Sequence, residues 1–363
     1  MSVACLSGRF LPRRLVSAVA LAAALNGAVA AAQSPAEPEV GLDPMARHYE
    51  LGQGLVLGES GFTLGGYAVA SSGETGDDPA WRTALDALSG FVWWDGGGRW
   101  HFFSEFELED ALIAGRGITT TDEAYLGLER FYVDYTRSDA LKFRLGKFLT
   151  PVGRWNLIHA APLVWTTSRP LITEATFPTN ATGAMVYGLL PWLREGLEYS
   201  VYASPGEELF PKPGLDTFEE AYGGHLSTSP WPELTVGFSF IDFEQRSATD
   251  ERRKLYGLDF HWTRRRYEFS GEFAYRLTDL TNGQRDEQGG YLQFVAPLGE
   301  RLYAVARYER FRDSDAARDL NLYLGGLNFR PRPGLALKAE YSRATANDID
   351  VRDGFLASIA VLF

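Results

Sequence analysis

Apolar and polar side chains alternate with a period of two over most of the chain after residue 60. In one clear example, Tyr267, Phe269 and Phe273 alternate with Glu268 and Glu272. This alternation is typical of a β-strand with one apolar and one polar face. The pattern predicts sixteen strands, at residues 61–70, 86–94, 99–108, 124–135, 141–149, 182–189, 196–204, 219–228, 234–244, 253–262, 267–277, 288–296, 301–312, 320–330, 335–345 and 353–363. Segments 61–70 and 182–189 alternate less regularly, so fourteen or eighteen strands stay open.

The connections distinguish a membrane barrel from a water-soluble sandwich, since both have strands with one apolar face. Short turns at 95–98, 229–233, 297–300 and 331–334 alternate with longer segments near 71–85, 109–123, 150–181 and 205–218. Outer-membrane barrels have an even number of strands, short periplasmic turns and longer outside loops. The sequence therefore predicts an all-β protein, a transmembrane antiparallel β-barrel of about 16 strands with both ends in the periplasm.

The C-terminal strand fits this prediction. Phe355, Ala357, Ile359, Val361 and Phe363 share one face of residues 353–363, and roughly 9 to 11 residues suffice for a tilted strand to cross a bilayer. Aromatic residues near strand ends suit the membrane interface, although each one could also belong to an ordinary core. They are Trp93, Trp94, Trp100, Tyr132, Tyr135, Trp231, Trp262, Tyr267 and Tyr275.

One predicted strand has apolar residues on both faces. Leucines at 320–324 share one face, and Leu327 with Phe329 share the other. The pair Gly325-Gly326 lies between them, and a β-bulge there would restore a single apolar face. The sequence predicts such a bulge.

The N-terminus has the layout of a secretory signal peptide. Three arginines precede the apolar run 15–25, and small residues follow, so residues 1–32 are predicted to be removed after Ala30 or Ala32. The alternative, a membrane anchor, needs about 20 apolar residues, more than this run supplies. Residues 33–60 are then a periplasmic N-terminal segment and 61–363 the barrel. Cys5 is the only cysteine, so the mature chain has no disulfide or thiolate metal site.

Charge and motifs exclude several functions. Loss of the three arginines leaves 32 of the 35 basic residues against 47 acidic ones, a formal charge of −15, which argues against a nucleic-acid partner. The histidines lack metal-ligand spacing, and phosphate loops and nucleophile elbows are absent from the sequence. We expect no enzyme, cofactor or metal, although a hydrolase built from a distant Ser and His stays an alternative.

The segment 150–181 is the most informative connection. It is rich in proline and apolar residues, and a loop longer than about 15 residues is uncommon unless it is functional. Folding back into the barrel would bury its apolar side chains and place Arg154, His159, Arg169 and Glu174 at a constriction. Alternatively, the loop covers the barrel mouth or packs on a neighbouring subunit.

Polar positions of the predicted strands supply a charged lumen wall of mixed sign. Carboxylates favour cations, whereas Arg and Lys favour anions. Pairing across adjacent strands, which would merely fill the wall, is the alternative. The predicted pore-lining residues are Glu105, Glu107, Lys142, Arg144, Glu268, Glu272, Arg276, Arg307, Lys338 and Glu340.

Acidic residues concentrate in the predicted outside loops, for example Glu207-Glu208 and Asp286-Glu287. Hard divalent cations prefer carboxylate oxygen, so these loops could hold cations that bridge phosphates of lipopolysaccharide. A simply solvated acidic surface is the alternative. The expected lipid partners are outer-membrane lipid and lipopolysaccharide.

Three short phrases resemble a known group of proteins. Residues 145–148 (Leu-Gly-Lys-Phe) with 150–153 (Thr-Pro-Val-Gly), residues 61–67 (Gly-Phe-Thr-Leu-Gly-Gly-Tyr) and the terminal Phe363 look like Gram-negative porins, in particular the superfamily that includes the phosphate-selective porins. The resemblance implies a sixteen-stranded barrel, usually a homotrimer, with its third outside loop folded into the pore. The lysine-rich anion path of the phosphate-selective members is missing here, so phosphate selectivity is not implied.

The expected function is passive diffusion of small hydrophilic solutes or ions through a water-filled pore in the outer membrane. A closed-lumen barrel that acts as an enzyme or as a structural adhesin is the alternative.

Overall fold

The computed structural model describes residues 47–363 apart from 76–77, 116–117, 159, 194, 281–282, 314–317 and 346–352. The predicted signal peptide lies outside these residues. In the described part of the chain, no helix is long and apolar enough to cross a membrane.

Sixteen strands in the described residues form one antiparallel wall in which each strand pairs with its sequence neighbours. The wall closes because the last strand pairs with the first, with Ile359 opposite Ala70. Closure leaves no edge whose backbone groups would lack partners in lipid. The strands are Phe62–Thr75, Asp78–Asp95, Trp100–Gly115, Tyr125–Ser138, Leu141–Leu149, Asn180–Leu190, Leu197–Ser204, Phe218–Trp231, Leu234–Gln245, Ala248–Arg264, Tyr267–Leu280, Gly283–Pro297, Leu302–Asp313, Arg318–Arg332, Leu335–Ala344 and Gly354–Leu362. The predicted barrel and its strand number are confirmed.

Several strands are longer than predicted. Asp78–Asp95 has 18 residues and Ala248–Arg264 has 17, whereas about 9 to 11 cross a bilayer. The predictions of long loops at 71–85 and 109–123 were therefore wrong over most of their length, and a short strand, Ile118–Thr120, pairs with the end of Trp100–Gly115. Beyond the membrane, a hairpin continues as a ladder because its backbone groups still pair better with each other than singly with water.

The two faces of the wall differ in exposure and polarity. Leu258 is 57% exposed and Ile359 46%, whereas Glu105 and Arg307 on the other face are at most 3% exposed. The outer face is therefore apolar and suited to lipid, and the inner face is polar. Of the aromatics predicted at the interface, Tyr132 and Trp93 instead face inward: Tyr132 is buried, and Trp93 packs on the buried Phe103.

The strand Arg318–Arg332 has no bulge at Gly325-Gly326, so that prediction was wrong. Pairing to both neighbours runs without interruption through the two glycines, and the register shift lies after Phe329. Leu320 and Leu322 are buried inside the barrel with Leu171 packed against them, so an inserted loop provides the apolar contact that the inner leucines need.

Two short strands precede the wall. Arg47–Glu50 pairs with Gly54–Leu57, and the second of these pairs with Phe62–Thr75 through Leu55 and Leu64. The end of the predicted N-terminal segment thus joins the sheet, and its periplasmic position stays a prediction.

Candidate pore constriction

A single connection of residues 150–179, here called the inserted loop, lies inside the barrel between Leu141–Leu149 and Asn180–Leu190. The backbone N–H of Thr150 donates to the Thr179 carbonyl at 2.8 Å. The amide nitrogen of Asn156 donates to the carbonyls of Thr150 and Thr179 at 2.8 and 3.0 Å, and Asn156 is fully buried. These bonds close the neck of the loop.

Wall carboxylates accept hydrogen bonds from the loop backbone. Glu272 accepts from the N–H groups of Arg154 and Trp155 at 3.1 and 2.6 Å. Glu340 accepts from those of Thr167 and Ser168, both at 2.8 Å. Loop N–H groups have no ladder partner, and charged acceptors are among the strongest replacements. The carboxylates therefore fix two points of the loop.

Wall cations bind the loop carbonyls in the same way. Arg307 donates to the carbonyl and hydroxyl oxygens of Ser168 at 3.0 and 2.8 Å. Lys338 donates to the carbonyls of Ala161 and Thr166 at 2.7 and 2.9 Å. Arg276 binds the Thr176 carbonyl at 2.9 Å and pairs with Glu287. Both signs of wall charge thus serve the same attachment.

Trp165 is a half-buried aromatic anchor of the loop. Its indole N–H donates to Glu268 at 2.9 Å, and its carbonyl accepts from Asn328 at 2.8 Å. The Arg330 guanidinium lies 4.1 Å from its ring centroid, a favourable cation–π distance. Together with the leucine contact at Leu171, these bonds hold the loop against the wall formed by the strands from Leu234–Gln245 to Gly354–Leu362.

The wall on the other side of the lumen carries charges that pair with each other. Glu105 binds Arg130 at 2.5 Å, and Glu107 accepts from the Tyr67 hydroxyl. Arg144 binds Asp134 through two nitrogens, each at 2.8 Å. The Arg144 guanidinium also lies 3.6 Å from the Tyr132 ring centroid, and Lys142 lies 5.9 Å from that of Tyr187.

A second connection, 205–217, also meets the inner wall. Lys147 pairs with Glu208 at 2.6 Å, and Lys212 pairs with Glu109. Burial raises the pKa of the Glu208 carboxyl above its ordinary value, and the nearby Lys147 ammonium opposes that shift. Glu208 and Glu287, predicted among the exposed loop acids, are therefore turned inward and paired with cations.

The site residues predicted from the sequence lie in three places: on the wall that contacts the inserted loop, on the opposite wall, and in the loop itself. Six of the ten predicted wall residues contact the inserted loop, namely Glu268, Glu272, Arg276, Arg307, Lys338 and Glu340. The other four lie on the opposite wall. In the loop, Arg154 and Arg169 are half-buried and Glu174 is exposed. His159 lies outside the described residues.

Sequence reasoning missed several anchors. The Ser239 hydroxyl accepts from the Gly153 N–H at 3.0 Å, and Asn328 and Arg330 were also missed. A serine or asparagine that binds backbone has no distinguishing pattern. Glu309, by contrast, is a position that the sequence assigns to the lumen face, and it accepts from the Leu171 N–H at 2.7 Å.

Two histidines pair with wall carboxylates. His225 lies 3.0 Å from Asp259 across the intervening strand, and His261 lies 3.4 Å from Glu268. Gly237 separates the first pair, and a Cβ there would collide with both side chains. In the part of the chain that the structure describes, no group of three His, Cys, Asp or Glu side chains could hold a metal ion.

No family model matches this chain. An uncharacterized protein from Aquifex aeolicus (strain VF5) is 25% identical over 380 residues, covering 90% of this chain and 84% of that protein.

Comparison with solved structures gives the fold. OmpF of Salmonella typhi, in complex with daunomycin, has a TM-score of 0.63 at 11% identity, covering 84% of this chain and 98% of its own. The anion-selective porin from Comamonas acidovorans has 0.57 at 13%, covering 83% and 98%. The trimer form of OmpT, an outer-membrane protein of Vibrio cholerae, has 0.58 at 11%, covering 83% and 99%. The chain therefore has the porin fold, a closed sixteen-stranded antiparallel barrel.

Proposed function

We propose that the protein is an outer-membrane porin through which small hydrophilic solutes or ions diffuse passively. The observation that carries the proposal is the inserted loop, which is attached along one half of the inner wall by groups of both charges. A loop fixed in this way narrows a lumen without depending on a single contact. The passage would run between the loop and the wall that carries Glu105, Arg130, Asp134 and Arg144.

The inner wall supports polar solutes. The two faces of the proposed passage carry carboxylates, guanidiniums and ammonium groups, which water and polar solutes can solvate. Among the described residues of the opposite wall, most charges form close ion pairs, such as Arg144 with Asp134. We therefore expect weak selectivity for the sign of an ion, with size as the main criterion.

Conductance of the purified protein in a planar bilayer tests the proposal. Discrete open steps that scale with salt concentration support a channel. Silence under all conditions points to the alternative, a closed-lumen barrel that acts as an enzyme or adhesin, for which the dense packing around the fully buried Glu105 is the favouring observation. A variant in which residues 154–176 are replaced by a short glycine–serine linker shows whether the loop restricts the flow, because its steps should be larger than those of the parent.

We also propose a homotrimer, in line with the trimer form of OmpT that has the same fold. The mass of the detergent-solubilised complex tests this assembly, after subtraction of bound detergent. A monomer mass in several mild detergents would contradict it and leave the proposed diffusion function untouched.

A further inference from the structure

Four side chains on the lumen face form a row across four adjacent strands. In the register of the sheet, Lys142 pairs with Tyr187, Tyr187 with Ser200, and Ser200 with His225. All four are half-buried. Within the described residues, none of them forms a hydrogen bond or an ion pair with the inserted loop. The row therefore belongs to the part of the wall that solutes in the lumen can reach.

Lys142 supplies a cation at one end of this row. Its ammonium nitrogen lies 5.9 Å from the ring centroid of Tyr187, and no carboxylate pairs with it in the part of the chain that the structure describes. The neighbouring Arg144 differs, because Asp134 binds its guanidinium through both carboxylate oxygens. The ammonium of Lys142 is thus available to an anionic group of a solute.

Glu198 supplies a carboxylate on the same wall. It lies two residues before Ser200 on one strand and faces the lumen, where it accepts from the Ser227 hydroxyl at 3.3 Å. Among the described residues, no lysine or arginine pairs with it. Its remaining oxygen is available to a cationic group of a solute.

The surface between the two charges offers an aromatic ring and a free hydroxyl. The Tyr187 hydroxyl donates to Asp134 at 2.9 Å, which holds the ring in place against the wall. The Ser200 hydroxyl has no hydrogen-bond partner among the described residues. Since serine is small, it leaves a recess between Tyr187 and His225. The ring can pack against carbon atoms of a solute, and the hydroxyl can donate or accept.

The spacing of the two charges limits the size of a solute that contacts both. Lys142 and Glu198 are two strands and two residues apart, so their Cα atoms are separated by about 12 Å. The ammonium and carboxylate of an α-amino acid are about 3 Å apart, and each charged contact is about 2.8 Å long. Such a solute needs about 9 Å between the two wall groups, which flexible side chains can provide by inclining toward each other.

We propose that this row binds a small zwitterion of the size of a free amino acid, with its carboxylate on Lys142 and its ammonium on Glu198. A simple anion would leave the Glu198 charge facing it, and a simple cation would meet that of Lys142, whereas a zwitterion satisfies both. The inference rests on the proposed diffusion function, because it names a class of solute for the same lumen.

The test is saturation-transfer NMR on the detergent-solubilised mature chain, titrated with L-alanine at about pH 6.5, where its amino group is charged. The variants K142Q and E198Q should each bind about fivefold more weakly, because each loses one solvent-accessible ion pair. The exchanged variant K142E/E198K should return to within about twofold of the parent, since the zwitterion can bind with its ends reversed. K254Q, which removes a cation from the outer face, is the matched control and should equal the parent.

Two analogues of alanine separate the two contacts. Lactate lacks the ammonium group and alaninamide lacks the carboxylate, so each should bind the parent about fivefold more weakly than alanine. Lactate should not distinguish E198Q from K254Q, and alaninamide should not distinguish K142Q from K254Q. Glucose, an uncharged polar solute, should give no saturable signal.

Three results would overturn the proposal. The first is equal affinity of the parent, K142Q and E198Q for alanine, and the second is binding of lactate or glucose as tight as that of alanine. The third is an exchanged variant that binds as weakly as the single variants. Heat-modifiable gel mobility establishes folding, and if E198Q does not fold, K142Q and the two analogues carry the same test.

Conductance of the parent in potassium chloride separates this inference from the diffusion function. Open steps without saturable alanine binding reject the zwitterion site and leave the channel. Saturable binding that K142Q and E198Q weaken, in a protein that stays silent in the bilayer, supports the site and rejects diffusion.

Discussion

Replacement of Glu340 by glutamine is the sharpest test of how the inserted loop is held. The carboxylate accepts two loop N–H groups, of Thr167 and Ser168, at 2.8 Å each. A glutamine of the same shape offers one oxygen and one NH₂ group. One loop N–H would then bond to a neutral oxygen, and the other would face the NH₂ group, which is also a donor. The loop then loses one anchor and keeps its other contacts.

The magnitude follows from the two bonds. A hydrogen bond to a charged acceptor contributes roughly 1.5–3 kcal/mol and a neutral one roughly 0.5–1.5. The loss is therefore about 2–4 kcal/mol of the free energy that keeps this part of the loop closed. Since each 1.4 kcal/mol is tenfold, amide exchange at Thr167 and Ser168 should accelerate about 30- to 700-fold.

Hydrogen exchange measured by mass spectrometry on the detergent-solubilised barrel gives the assay, read on peptides that cover 161–171. Glu107→Gln is the matched control, because Glu107 is also a buried inner-wall carboxylate but binds Tyr67 on the opposite wall. If exchange of the loop amides in E340Q equals that of the parent and of the control, the carboxylate does not anchor the loop, and the reasoning fails.

Three further outcomes are expected. Replacing Arg154 and Arg169 together by alanine should raise single-channel conductance and move the reversal potential in a salt gradient toward cations, since two fixed positive charges leave the loop; unchanged values would place both outside the path. Gly237→Val should lower the temperature at which gel mobility becomes that of the unfolded chain, by breaking the histidine–aspartate pair, whereas Gly98→Ala, with open space around it, should not. The pKa of the Glu208 carboxyl is raised. Docking of the connection 205–217 on the inner wall should therefore be strongest below the ordinary carboxyl pKa and weaken as pH rises through the raised pKa. Limited proteolysis at a series of pH values checks this direction, because cleavage of the connection should increase as pH rises.

The barrel was predictable from the sequence because a membrane wall imposes period two over many strands. Ile359 and Leu258, for example, lie on faces that the alternation assigns to lipid. Strand ends were not predictable, because a hairpin that leaves the membrane can continue as a ladder with polar residues on both faces, as Ser71 and Ser72 show. Hydrophobic alternation stops there and backbone pairing does not.

The strand Arg318–Arg332 shows a second limit of the pattern. Its apolar residues on two faces predicted a bulge, on the assumption that the inner face contacts only water. Leu320 and Leu322 contact the loop residue Leu171 instead, so both faces are apolar for different reasons. The tertiary structure decides which inner positions contact an inserted segment. The local periodicity of the sequence does not predict them.

The attachment of the loop was the least predictable feature, and it separates two kinds of perturbation. Wall side chains bind mainly the backbone of the loop, as Glu272 does at Arg154 and Trp155, and every residue type except proline supplies the same N–H group. Loop side chains other than anchors such as Asn156 and Trp165 can therefore change without loosening the loop, whereas a wall substitution moves it. It follows that E340Q should increase fluctuation of the current with little effect on ion preference, and that the arginine replacements should change ion preference with little effect on fluctuation. Recording both quantities on both variants tests this separation, and equal effects of the two variants on ion preference would contradict it.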